Sequence, residues 1–415
     1  MEKKRYPFWY YLILFAIPFF LIIITEISLR IFNYGIDYSA FIVIEELSDQ
    51  YYPNPDLTKK FFTNTTSIPS VIPDPFDKVK DDHTIRVFIF GGSTTAGYPY
   101  SQNASFPRII KRKLEMFYPE YKIEVINLGV SAVNSHFIRN ILPDVLKHEP
   151  DLLVFYAGHN EFYGALGPAS TEYLFSNPTI IQLVLKLREF KVYQLVQNIM
   201  RGVVSVFSSD AKPSRTTLMA EMIKEQEIPN DSEIYELGLN QFQENMSAVL
   251  EQCNRSGIPV IVGNLVSNLK QKPLQLTDGE ANKLFDNAQR LLSERDTVRA
   301  KESYTKAKDT DLLKFRATED FNEILKKLHA TNDFRLVDIK TGFENNTQDD
   351  ITGFNLMVDH LHPNLIGYKL MGDLFYEEID DLLSKKFKRY KGLSNSSIEN
   401  YLAENFFDSR SSISS

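Results

Sequence analysis

Ser93 lies in the stretch Phe-Gly-Gly-Ser-Thr-Thr, directly after a short apolar run, Ile85–Phe90. A serine hydroxyl is a poor nucleophile until a base takes its proton. The two glycines allow a sharp turn at little steric cost. A helix starting there would aim its first amides at the serine, where a developing anion would be stabilised. The second reactive cluster is Val-Asp-His-Leu-His-Pro-Asn, residues 358–364. An imidazole titrates near neutrality, so His362 can act as the base, and Asp359, three residues earlier, can orient it and stabilise its charged form. His360 is the reserve candidate. Taken singly, these residues also suit polar positions near a helix start, and a Gly-Gly-Ser turn also suits a phosphate-binding loop. The Gly-x-Gly-x-x-Gly and P-loop patterns that would mark such a loop are absent. Thr94 and Thr95 read as helix-start residues.

These groups must be positioned by the elements around them. Ile85–Phe90, Ile123–Asn127 and Leu152–Tyr156 read as buried strands, followed by Gly91-Gly92, Leu128-Gly129 and Ala157-Gly158. Pro259–Gly263 and Arg335–Ile339 read as a fourth and fifth strand. Helical patterns fill 105–118 and 134–148, and another runs from Asn364 to Leu383. Such alternation implies a parallel sheet covered on both faces. Ligands then bind outside the carboxyl ends of the strands, where the turns carrying Ser93, Gly129 and Asn160 would converge.

Four short blocks occur in order: Gly91-Gly92-Ser93, Asn127-Leu128-Gly129, Gly158-His159-Asn160-Glu161, and Asp359 to His362. In this order the chain resembles the SGNH hydrolases, the GDSL-type esterases and lipases. The resemblance covers about 83–164, 257–268 and 333–384. It implies an α/β, flavodoxin-like three-layer sandwich with a central parallel sheet. It further implies Ser93 as nucleophile, His362 as base and Asp359 as its orienter. The implied oxyanion hole comprises the backbone N–H groups of Ser93 and Gly129 and the side-chain amide of Asn160. Gly92 and Glu161 depart from the family, which most often has Asp at the first position and often at the second. His159 and Arg316 read as structural, with substrate contact the weaker alternative. Alginate-type acetyltransferases related to this fold place Asp-His before the serine; here the pair follows it.

The remaining sequence sets location and partners. Lys3, Lys4 and Arg5 precede an uncharged apolar run, Phe8–Thr25, long enough to span a bilayer, which needs roughly 17–25 residues. No Ala-x-Ala-like cleavage site follows, so an uncleaved transmembrane anchor is expected, with the basic flank cytoplasmic and the rest extracytoplasmic, the periplasmic side in a bacterium. The expected organisation is an anchor at 1–30, a linker at 31–82 and a hydrolase domain at 83–384. Helical insertions are expected at 165–256 and 277–330, the second one tetratricopeptide-like hairpin, with a basic, Ser-rich tail at 385–415. Residues 26–45 read as an amphipathic helix at the membrane exit, and the Pro-rich stretch 50–82 as an irregular connection. The net charge of −8 argues against nucleic acid as a partner. The single cysteine, Cys253, allows no intrachain disulfide and reads as a buried hydrophobe; no metal site or cofactor is expected. The expected partners are an acyl ester, with envelope lipid or polysaccharide as its carrier, and the membrane. An O-acyltransferase and a non-catalytic scaffold are the competing readings.

Overall fold

A strand covered on both faces has no solvent side, so it reads as continuous apolar sequence. The computed structural model, which describes residues 7–63, 67–207, 223, 227–275 and 278–392, has five strands in one sheet, most of them of this kind. The basic flank at Lys3–Arg5 and the Ser-rich end of the tail lie outside the described residues. The chain opens with helix α1 (Phe8–Ile31) and three short strands, β1 (Phe41–Ile42), β2 (Gln50–Pro53) and β3 (Phe76–Asp77). The core begins with β4 (Thr84–Gly91), α2 (Ser93–Ala96), α3 (Phe106–Phe117), β5 (Lys122–Gly129), α4 (Ser135–Val145) and β6 (Leu152–Tyr156). Helices α5 (Pro178–Leu187), α6 (Lys191–Phe207) and α7 (Glu233–Ser256) lead to β7 (Val260–Gly263). Then come α8 (Glu280–Ser293), α9 (Thr297–Thr310), α10 (Glu319–His329), β8 (Arg335–Val337), α11 (Ile339–Glu344) and α12 (Leu365–Leu383).

The large sheet runs β5-β4-β6-β7-β8 with every pair parallel. That is the 2-1-3-4-5 order of flavodoxin-like folds, whose ligand crevice opens at the strand carboxyl ends. Every residue of β4 and β6 is buried. Helices α3, α11 and α12 pack together on one side, while α4, α7 and α10 pack together on the other. This makes the α/β three-layer sandwich. Helices α7 and α10, from the ends of the two segments read as insertions, serve as the crossovers into β7 and β8. Helices α8 and α9 pack on each other around a separate small core of Phe285, Ala288, Leu291, Ala300 and Tyr304.

Two readings of the N-terminal region need correction. The helix expected through residue 45 stops at Ile31. Asn33 and Gly35 then take left-handed backbone, φ 51° and 74°, which breaks a right-handed helix, and the chain runs on to β1. The stretch 50–82 is not an irregular connection. β1, β2 and β3 form an antiparallel sheet, and Phe61, Phe62 and Phe76 are buried in the main core. The cause is nonlocal. Arg86 Nε donates to Glu124 Oε2 across β4 and β5 at 2.6 Å, Arg86 Nη2 donates to the Asp77 carbonyl, and Asp77 N–H donates to Glu124 Oε1. Phe76 meets the Arg86 guanidinium on its ring and Phe41 and Phe88 edge-on.

Candidate active site

The first turn after β4 places Ser93 at the start of α2, with Gly92 in extended backbone before it. The Ser93 hydroxyl lies 2.7 Å from His362 Nε2. On the far side of the ring, His362 Nδ1 lies 2.7 Å from Asp359 Oδ2. Asp359 Oδ1 accepts from the N–H groups of Leu361 and His362, at 2.9 and 2.8 Å. A carboxylate accepts only, so this network assigns the ring proton to Nδ1 and leaves Nε2 to accept from Ser93. Burial alone would raise the Asp359 carboxyl. The hydrogen bond and charge of His362, together with His360 and the Leu361 N–H, overcome it and hold the group well below the usual carboxylate range.

His360 does not compete for Ser93. Its Nδ1 is 3.7 Å from Asp359 Oδ1, its ring sits edge-on to Phe315, and burial pushes it down to about 4. The turn that carries Asp359 is held from behind by Asn268, whose N–H donates to the His360 carbonyl and whose side-chain amide donates to the Asp359 carbonyl, both at 3.0 Å. Arg316 donates in turn to the Asn268 and Gln271 carbonyls and pairs with buried Asp311 at 2.9 Å. Arg316 is therefore committed to structure. His159 is as well: its Nδ1 accepts from the Ala317 N–H, and burial pushes the ring down to about 3, so it stays neutral. It nonetheless forms part of the cleft wall. Asn268 carried no recognisable motif, because its task is set by a loop more than 90 residues away in sequence.

Asn160 follows β6 and reaches into the same cleft as Ser93. One hydrogen of its side-chain amide goes to the Val133 carbonyl at 3.0 Å; the amide has two, so one is left for a ligand. Glu161, next to it, accepts from the N–H and hydroxyl of Ser135 and from Gln241, tying this turn to α4 and α7. Burial outweighs those donors and raises its carboxyl to about 7.

Gly129 is not brought to the cleft as expected. Its N–H donates to Asn127 Oδ1 at 2.8 Å, while Asn127 donates to the Thr95 carbonyl. A Cβ on Gly129 would lie 2.4 Å from the Ala96 nitrogen. The glycine is there so that α2 can lie against β5, and its donor is already used. The same loop offers another. Ala132 has φ 57° and is 3% exposed. Its N–H makes no hydrogen bond among the described residues, and its neighbour Val133 holds Asn160. A left-handed alanine leaves no mark in sequence. Nor did Tyr98, whose ring lies 4.6 Å from that of His362 and is half exposed at the cleft edge.

Gly92 explains its own departure from the commoner Asp. A Cβ there would lie 2.8 Å from Asn160 Nδ2, so a side chain presses directly on the donor end of the amide. A misplacement near 1 Å can cost about 10²-fold in rate. Gly92→Ala is therefore expected to lower kcat by about that factor with little change in the unfolding midpoint, measured by ester hydrolysis and urea denaturation side by side.

Residues 89–370 match the model of the GDSL-like lipase/acylhydrolase family. No curated protein matches the chain. Among solved structures it is similar to a lipase/acylhydrolase from Enterococcus faecalis, at 13% identity over 74% of this chain and 100% of that one, TM-score 0.38. It is also similar to the acetyl xylan esterase AlAXEase, at 15% identity over 71% and 100%, TM-score 0.36. A third is the acetylxylan esterase Axe2 from Geobacillus stearothermophilus, at 12% identity over 73% and 96%, TM-score 0.37.

Proposed function

The chain belongs to the GDSL-like lipase/acylhydrolase family and is a serine esterase of the SGNH type; from that premise we propose that it is membrane-anchored and cleaves an ester-linked acyl group through Ser93, His362 and Asp359. One observation carries this reading: the unbroken chain from Ser93 Oγ through the His362 ring to Asp359, each link 2.7 Å. Ser93 Oγ attacks the ester carbonyl as its proton passes to His362 Nε2. The negative charge that forms on the carbonyl oxygen is met by the N–H of Ser93, the free amide hydrogen of Asn160 and, in place of Gly129, the N–H of Ala132. Loss of one such donor typically costs about 2.7–4 kcal/mol. His362 then protonates the departing alcohol, and water, activated by the same ring, releases the acid from the acyl-enzyme. The cleft beside Ser93 is narrow, walled by Val133, Tyr156, His159, Asn160 and Leu361, which favours a short acyl group.

α1 has 24 residues, a mean hydropathy of 2.5 over its most apolar window and no buried side chain. At about 1.5 Å per residue it is long enough to cross a bilayer. In this reading it anchors the esterase, with the domain on the extracytoplasmic side, where envelope lipid or polysaccharide carries acyl esters. Hydrolysis and transfer share the acyl-enzyme and differ in what accepts the acyl group. Full-length enzyme in mixed micelles should release p-nitrophenol from short acyl esters, and an added oligosaccharide should leave that rate unchanged. Acyl-sugar forming well above the hydrolysis rate would make the enzyme a transferase instead.

A further inference from the structure

We propose that α5 and α6 form a second membrane-contact face, which lays the esterase domain against the bilayer that α1 enters; this rests on reading α1 as an anchor. On α6, Val196, Ile199, Met200 and Val203 recur at helical spacing along one side and are each half or more exposed. Residues three and four apart share a helix face, so these four make one apolar stripe. On α5, Leu183 and Leu187 are likewise exposed, while Ile181 and Leu185 on the other side are buried in the core. A helix that buries one apolar side and shows another to solvent has a second surface to satisfy.

The occupant follows from what the stripe adjoins. α6 is fastened to the end of α1 and the residues just after it. The Val192 N–H donates to Glu26, the first charge after the apolar run. Asn198 donates to the Tyr34 hydroxyl, Lys191 donates to the Ile36 carbonyl, and Gln194 accepts from the Ile36 N–H. The stripe is thus continuous with a helix whose whole apolar surface is uncovered. The charge agrees. Between residues 173 and 207 the charged side chains that reach solvent are three basic (Lys186, Lys191, Arg201) and one acidic (Glu189), a net of +2 in a chain of −8; Arg188 is buried against the Lys60 carbonyl. A basic amphipathic helix with an apolar stripe lies in the plane of an anionic lipid surface, its apolar side sunk to the acyl boundary.

The test uses the full-length chain with one added cysteine at a time, since Cys253 is buried and its thiol pushed up to about 12, leaving it unlabelled. Leu21→Cys probes the anchor, Leu183→Cys and Ile199→Cys probe the stripe, and Ser293→Cys probes the exposed end of α8. Each is labelled with an environment-sensitive fluorophore and reconstituted in phosphatidylethanolamine–phosphatidylglycerol vesicles, with and without bromo-acyl lipid. The expected result is blue-shifted emission and bromolipid quenching at 21, 183 and 199, and neither at 293. Quenching at 21 but not at 183 and 199 overturns the proposal and leaves the anchor intact. No quenching at 21 removes the anchor reading and the proposal with it. Labels at 183 and 199 that are shielded from bromolipid but self-quench as protein density rises would make the stripe a contact between copies, which also overturns it.

Discussion

Ser93→Ala is expected to lower ester hydrolysis by about 10⁵- to 10⁶-fold, the loss seen when the nucleophile of such a triad is removed, or about 7–8 kcal/mol of transition-state stabilisation. The size follows from what remains. Without Oγ there is no acyl-enzyme, and the residual rate is that of water attack assisted by the oxyanion donors and His362. His360 cannot restore the lost step, because its ring faces Phe315 and not the serine. The fold should not notice the change. The Ser93 hydroxyl contacts His362 at the cleft and makes no other side-chain bond among the described residues, so the free energy of unfolding should change by no more than a surface substitution does, about 0.5 kcal/mol. Two readouts separate chemistry from folding: release of p-nitrophenol from short acyl esters, and covalent labelling by a fluorophosphonate probe, which should be lost in the variant. A variant that keeps a tenth or more of the wild-type rate would transfer the nucleophile's role away from Ser93.

The residues around that serine differ in how legible they were, and the difference has physical causes. Strands buried on both faces print themselves as apolar runs, so β4, β5, β6 and β7 were readable to within about two residues. The Asp359–His362 spacing was readable because three residues suffice to fold a carboxylate back onto an imidazole. Gly129 misled for a good reason. A glycine after a strand signals a close approach, and one exists, but the neighbour is the backbone of α2 and not a ligand. The left-handed backbone of Ala132 costs strain that only tertiary contacts hold, and tertiary contacts are not written locally. The same limit hid the packing of residues 50–82, where prolines and polar residues suggest a loop. Phe61, Phe62 and Phe76 are buried there only because the sheet and the Arg86–Glu124 pair supply partners from later in the chain. Helices α7 and α10 were readable as helices but not as crossovers, since a crossover is defined by which strands it joins.

Asp359→Asn should lower kcat by about 10⁴-fold while leaving the serine and histidine in place. The geometry dictates the sign of the effect. Asp359 Oδ1 accepts two backbone N–H groups and Oδ2 accepts from His362 Nδ1. An asparagine has one oxygen and one NH₂ to fill both places. Turning the NH₂ toward the two backbone donors would set donor against donor, so the oxygen must stay there and the NH₂ must face Nδ1. Nδ1 then accepts, the ring proton moves to Nε2, and the atom beside Ser93 Oγ becomes a donor that can take no proton. Asp359→Ala tests the alternative that only packing is lost: it leaves Nδ1 free to carry a proton, so its residual rate should exceed that of the asparagine variant. The reverse order would show that tautomer control is not the function of Asp359. Acid stability gives a second check. The Asp359 carboxyl is held below its ordinary value, so its ionised form favours folding above the unfolded pKa, near 3.9, and that contribution is lost as pH falls toward the lower folded value. Asp359→Asn should therefore be less stable than wild type at pH 7, and urea midpoints of the two should converge below about pH 4.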